Sequence, residues 1–206
     1  MPSLKLRDHR IVVCIEYMRK HHEGQTRKVT GLPYYIHPLG VLELMEEAPF
    51  FFPTRDKLAA LLHDIREDSP GFDWDDVVRR WGQYVAGAVC LLSKGKLGEQ
   101  FPAVYFNMLR LAHPNVIAVK LLDRLQNTMD YNAMSDAPWL LKYSEETVEL
   151  VCPLIQIMVV NGANISGGYF ALGVWIEDRL QANLHGMRAR AFELKALSDA
   201  EGKEGV

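Results

Sequence analysis

Residues 61–70 read LLHDIREDSP. Two leucines run into five titratable side chains within six positions: His63, Asp64, Arg66, Glu67 and Asp68. On a continuing helix, Asp64 and Asp68 are four apart, as are His63 and Glu67, so each pair shares a face. Such crowding repels unless a cation or a phosphate ligand organises it. Matching groups occur elsewhere. In PYYIHP, His37 opens an apolar helix. In VIAVKLLDRLQN, Asp123 lies three residues after Lys120 and four before Asn127, and an aspartate in so apolar a run needs a partner. Two imidazoles and two carboxylates suit Mn²⁺, Fe²⁺, Zn²⁺ or Co²⁺ better than a thiolate-seeking metal. Four protein ligands leave open positions in an octahedral shell, which favours catalysis over a closed structural site. An ion there polarises a phosphoryl oxygen and makes water more acidic, and a neighbouring carboxylate can orient or deprotonate that water. Taken singly, His37 is a helix-capping histidine, and Glu67 and Asp68 are solvated helix-end charges. Only the set together carries the metal reading.

The elements that must position these groups are helices. Apolar residues recur at helical spacing, and no segment alternates as a hairpin would. The pattern predicts about eight helices, over residues 4–22, 37–47, 57–66, 74–92, 102–112, 115–131 and 142–160, and from 169 onward. Asp73 is the expected N-cap of the fourth, with Asp75 and Asp76 in its first turn. EGQTRKVTGLPYY reads as a polar loop, and SKGKLGEQ as a mobile loop that can serve as a lid. The expected fold class is all-α, a single compact domain over residues 1–195 followed by a disordered tail, 196–206. The four tryptophans are assigned to the core, with Trp74 and Trp81 on one buried stripe. His21 and His22 read as a solvated helix end, and His9, His113 and His185 as non-ligands.

Composition narrows the function. The chain has 206 residues, 49% hydrophobic and 24% charged, as an ordinary globular domain does. A net charge of -3 gives no basic surface for nucleic acid or an anionic membrane, so a phosphorylated ligand must be held by local groups. The charged start MPSLKLRDHR lacks an apolar signal core, and ELVCPLIQIMVV is too short to span a bilayer. The three cysteines, widely spaced in apolar surroundings, read as buried free thiols in a cytoplasmic protein.

The order His37, His63-Asp64, Asp123 resembles the H…HD…D signature of HD-domain metal-dependent phosphohydrolases. Four blocks make the resemblance closer: GQTRKVTGLPYYIHPLGV (24–41), AALLHDIREDS (59–69), WGQYVAGAVCLLSK (81–94) and VKLLDRLQN (119–127). They look like the hydrolase domain of the RelA/SpoT alarmone enzymes and their small stand-alone relatives. The resemblance implies a helical HD domain and a Mn²⁺-dependent reaction. That reaction removes the 3′-pyrophosphate of ppGpp or pppGpp, giving GDP or GTP plus pyrophosphate. It further implies His37, His63, Asp64 and Asp123 as metal ligands and Glu67 and Asp68 as the catalytic acidic pair. Arg27, Lys28 and Asn127 become contacts to the nucleotide. No stretch resembles the family's synthetase domain, so hydrolysis alone is expected.

This chain also departs from the family's pattern. Gln126 stands where members commonly carry histidine, Asp130 where they often carry threonine, and residues 105–120 lack the family's Arg-Lys pair. These differences keep two other readings open. One is an HD phosphohydrolase for another nucleotide, such as a 5′-nucleotidase, a dNTP hydrolase or an NADPH 2′-phosphatase. The other is a non-catalytic nucleotide-sensing module. The sequence leaves the oligomeric state open.

Overall fold

A computed structural model describes residues 8–204. Helices follow one another as α1 (His9–His21), α2 (Ile36–Glu47), α3 (Thr54–Leu62), α4 (Ile65–Asp68), α5 (Trp74–Trp81) and α6 (Gln83–Leu92). Then come α7 (Gly95–Gln100), α8 (Pro102–Leu109), α9 (Pro114–Met129), α10 (Ala137–Glu146), α11 (Pro153–Gly162) and α12 (Gly168–Glu204). A 3-10 turn, Tyr131–Ala133, and a π turn, Thr147–Val151, join α9 to α10 and α10 to α11. Among the described residues there is no strand, only an isolated antiparallel bridge between Thr26 and Pro33.

The centre of the fold is α9. It packs on α2, α3, α11 and α12, and most of its side chains are buried, Ile117, Ala118, Leu121 and Leu122 fully. Leu42 of α2, Leu58, Leu61 and Leu62 of α3 and Val85 and Val89 of α6 close around it, also with no exposed surface. Burying such a side chain stabilises by about 1.5–3 kcal/mol each, which makes α9 the rail on which the site is built. Pro114 starts α9 at the position where a missing N–H costs nothing, and His113 Nδ1 accepts from the Asn115 N–H at 3.2 Å. Polar caps tie the periphery down. Asp8 accepts from the Arg10 N–H at 2.9 Å with one oxygen, and Thr54 Oγ1 donates to the other at 2.7 Å, joining the starts of α1 and α3. Asp73 caps α5 by accepting from the Asp75 N–H, as its place in the sequence predicts.

Several boundaries differ from the sequence reading, each for a local reason. The helix expected over 74–92 is two, because Gly82 adopts φ 90°, which L side chains rarely take. The helix expected over 142–160 starts earlier and is interrupted: Cys152 N–H bonds back five residues to Thr147 O at 2.9 Å, just before Pro153, which has no N–H to donate. Residues 95–100, read as a loop, form α7. Residues 196–204, read as a disordered tail, continue α12 through a stretch rich in helix formers; residues 205–206 lie outside the described residues, as do 4–7 of the first predicted helix. Trp81 is buried at 6% exposure, but Trp74 and Trp139 are each 39% exposed, so no single tryptophan stripe exists. Cys14 is buried, whereas Cys90 and Cys152 are half-buried.

Candidate metal centre

The most consequential departure is at the opening motif. The helix does not run through Asp68; α3 ends at Leu62, His63 and Asp64 form a turn, and α4 begins at Ile65. On a continuous helix, neighbouring side chains diverge by a little over a quarter turn. The break lets both point inward, and His63 Nε2 lies 3.0 Å from Asp64 Oδ2. His37, in the first turn of α2, brings its Nε2 to 3.1 Å from His63 Nε2, 3.4 Å from Asp64 Oδ2 and 3.1 Å from Asp123 Oδ1. Asp123 Oδ1 is 3.5 Å from His63 Nε2. His37, His63 and Asp123 are all buried, from 0% to 4% exposed.

The outer faces of these groups are spoken for. His63 Nδ1 donates to Ala60 O at 2.6 Å. His37 Nδ1 donates to Gln126 Oε1. Both bonds put a ring hydrogen on Nδ1 and turn the two Nε2 atoms toward each other among carboxylate oxygens. Gln126, the family departure, thus acts as the His37 anchor. It reaches His37 because α2 approaches α9 closely at Gly40, where an added Cβ would come within 3.0 Å of the Gln126 side chain. Lys120 Nζ sits 2.8 Å from Asp123 Oδ2, Asn127 Nδ2 donates to Asp123 Oδ1 at 2.7 Å, and Tyr34 OH donates to Asp64 Oδ2 at 2.8 Å.

The donor set fits a divalent cation. Ligand bonds of about 2.1 Å set neighbouring donors roughly 3.0 Å apart in an octahedron and 3.4 Å apart in a tetrahedron. The observed edges of 3.0–3.5 Å bracket that range. His37, His63 and Asp123 alone satisfy the geometry of a metal-holding group; Asp64 adds a fourth oxygen beside both imidazoles. Electrostatics agree. Burial works against charge on the imidazoles, yet the Asp64 and Asp123 carboxylates outweigh it and raise the His37 pKa, and that of His63 more so. Burial likewise opposes charge on the carboxylates. Lys120 and the imidazoles overcome it at Asp123, and the imidazoles at Asp64, so both stay well below the usual carboxylate range. The cluster is a place that demands positive charge.

Glu67 and Asp68 stand at the solvent side, both exposed. Glu67 Oε1 accepts from the Lys94 N–H, and partial burial raises its pKa. Partial burial, reinforced by the Asp64 charge, does the same at Asp68. The Asp68 carbonyl accepts from Gln25 Nε2 at 2.6 Å, and Gln25 Oε1 lies 2.7 Å from His22 Nδ1. His21 Nδ1 lies 2.7 Å from Ser69 Oγ. The end of α1 therefore clamps the acidic turn, and His22 is buried at 1% exposure rather than solvated.

Asp68 also borders a pocket of about 400 Å³, walled by Arg27, Lys28, Asn127, Trp139 and Tyr143. Arg27 Nη2 donates to Asn127 Oδ1 at 3.2 Å. Trp139 and Tyr143 stack with centroids 4.5 Å apart and planes 15° apart, and the Arg124 guanidinium covers the other side of Tyr143 at 4.1 Å. The structure thus gathers His37, His63, Asp64 and Asp123 at one point, with Glu67 and Asp68 beside it and Arg27, Lys28 and Asn127 around the adjoining pocket. Sequence reasoning missed Tyr34, Trp139 and Tyr143. The only signal for the last two was an aromatic pair at i, i+4 on a helix.

No family model matches the chain. A protein from Streptomyces antibioticus named GTP pyrophosphokinase is 36% identical over 148 residues, 68% of this chain and 17% of that protein. A guanosine-3′,5′-bis(diphosphate) 3′-pyrophosphohydrolase from Aquifex aeolicus is 36% identical over 146 residues, 68% of this chain and 20% of its own length. The bifunctional (p)ppGpp synthase/hydrolase SpoT of Escherichia coli is 33% identical over 144 residues, again 20% of that protein. The chain thus spans about a fifth, or less, of the length of these curated relatives. A solved structure of a metazoan ortholog of SpoT that hydrolyses ppGpp shares the fold. Its TM-score is 0.59 at 19% identity, covering 93% of this chain and 96% of that one. No helix among the described residues is long and apolar enough to cross a membrane.

Proposed function

The chain carries a RelA/SpoT-type helical domain, and from that premise we propose that it hydrolyses guanosine alarmones, converting ppGpp or pppGpp to GDP or GTP plus pyrophosphate. The observation that supports this most is the pair of Nε2 atoms 3.1 Å apart between two carboxylates. His37, His63, Asp64 and Asp123 hold a divalent ion, and Mn²⁺ suits this mixture of imidazole and carboxylate. When bound, it supplies a Lewis acid for the phosphoryl oxygens and lowers the pKa of water.

The protein's own groups do the rest. Glu67 keeps Oε2 for a water while the Lys94 N–H holds Oε1, and it orients that water and takes its proton. Asp68, at the junction of metal cluster and pocket, aligns the same water from the pocket side. Arg27 donates planar hydrogen bonds and Lys28 a compact charge to the phosphates. The open side of the Trp139 indole, backed by Tyr143, stacks a purine, and Asn127 contacts the ribose while bridging to Asp123. Free thiols fit a cytoplasmic setting.

The test is product analysis. Chelator-stripped protein resupplied with Mn²⁺ is given ppGpp, and the products are resolved by anion exchange. GDP and pyrophosphate in equal amounts are expected. Glu67→Gln should lose roughly 10²–10⁴-fold in rate while keeping its metal. Absence of turnover by metal-loaded wild type, with hydrolysis of another nucleotide from a panel, would replace the substrate and leave the metal site standing.

A further inference from the structure

Asp130 is a carboxylate where two forces oppose one. It caps the C-terminal end of α9 (φ −86°, ψ 13°), where unsatisfied carbonyls already carry partial negative charge. It also lies next to a pocket that, on the reading above, receives phosphates. A single contact offsets both: Asp130 Oδ2 is 3.3 Å from Arg27 Nη2. That nitrogen is the one that donates to Asn127 Oδ1.

Arg27 is restrained from its backbone too. Its N–H donates to Leu32 O at 2.8 Å, and its carbonyl accepts from the Gly31 N–H at 2.9 Å. Only 11% of its side chain is exposed, against 31% for Asp130. The contacts run in series, Asp130 to Arg27 to Asn127 to Asp123. Arg27 lines the pocket and Asp130 does not. Asp130 thus touches the wall of the pocket through Arg27.

We propose that Asp130 is a positioning residue that sets nucleotide specificity: its carboxylate holds Arg27 and cancels most of its charge, so that Arg27 meets the nucleotide as a planar donor surface and Lys28 carries the attraction to phosphate. This rests on the alarmone reading. A neutralised guanidinium keeps its five N–H donors and its flat face but gains little from each further phosphate. The chain therefore discriminates among nucleotides less by phosphate count than it would with a neutral residue at 130.

The full-length chain tests this with Asp130→Asn, which keeps an oxygen for Arg27 and removes the charge, and Asp130→Glu, which keeps the charge. KM and kcat for ppGpp are measured at several NaCl concentrations. Asp130→Asn is expected to lower KM roughly fivefold, the scale of one partly exposed unit charge near an anion. KM should also depend more steeply on salt, with kcat within about twofold of wild type. Asp130→Glu should track wild type. A merely structural cap would not change the salt dependence. A KM that stays level or rises in Asp130→Asn overturns the proposal, as does a fall with unchanged salt dependence. If wild type turns over no ppGpp, the alarmone reading fails by itself. Asp130 is then judged on the Kd of GDP by calorimetry across the same salts, with the same two directions deciding.

Discussion

The two halves of the site are built by opposite strategies. At the His–Asp cluster, each donor is held by a second residue: His63 by Ala60 O, His37 by Gln126, Asp64 by Tyr34, Asp123 by Lys120 and Asn127. Three of the four side chains, those of His37, His63 and Asp123, are buried among helices packed on α9. At the adjoining pocket, Arg27 and Lys28 come from a loop, Trp139 is 39% exposed, and the holding is done by the Arg27 contacts to Asp130 and Asn127 and by an aromatic stack backed by Arg124. The first half cannot rearrange without breaking the core, and the second can. Chemistry that needs fixed geometry belongs in the first, and a ligand that varies in size belongs in the second.

That contrast breaks most visibly at His63. His63→Ala removes a proposed ligand that nothing nearby can replace. Turnover should fall on the order of a thousandfold or more and bound metal should be lost, as read by stopped-time product assay and metal analysis. Retained metal with lost turnover would move His63 from ligand to catalyst. A smaller effect sharpens the comparison. Gln126→Ala leaves all four ligands but frees His37 to rotate. Metal affinity should weaken roughly 10–100-fold, with KM for nucleotide unchanged once metal is saturating. An altered KM would show that the two halves are not separable.

The smallest effect lies outside both halves. Arg79 first, then Arg80, hold the Asp76 carboxyl at about 2, below its ordinary 3.8. A carboxyl depressed in the folded state contributes stability that is full above 3.8 and lost as pH falls through about 2. Thermal melts between pH 5 and pH 2 should therefore fall less steeply for Asp76→Asn than for wild type, with turnover at neutral pH unaffected. Equal slopes would show that the ion pairs in α5 are without weight.

The same contrast governs what was legible in the sequence. His37, His63, Asp64 and Asp123, which the structure brings to one point, were legible only as a set; of the four, Asp123 stands out by itself, because a polar residue inside an apolar helix needs a partner. Periodicity gave the all-α class, which the observed helices and the SpoT-like fold bear out. The break between α3 and α4 was not readable: ALLHDIRED keeps a helical rhythm across the turn, and only the packed ligands require it. The Gln126 anchor was visible as a departure but not as a function, because its meaning depends on the close approach of α2 at Gly40. Trp139 and Tyr143 reach the pocket only through tertiary placement of α10, which no local pattern encodes.

On the proposed function, the buried cluster holds one cation and hydrolysis depends on it. The most direct test titrates Mn²⁺ into chelator-stripped protein and follows occupancy and ppGpp turnover in the same samples. Turnover should rise in step with occupancy and level off at one equivalent, while His63→Ala shows neither. Full turnover by the stripped protein, or occupancy reaching one equivalent with no turnover of any nucleotide, would contradict it.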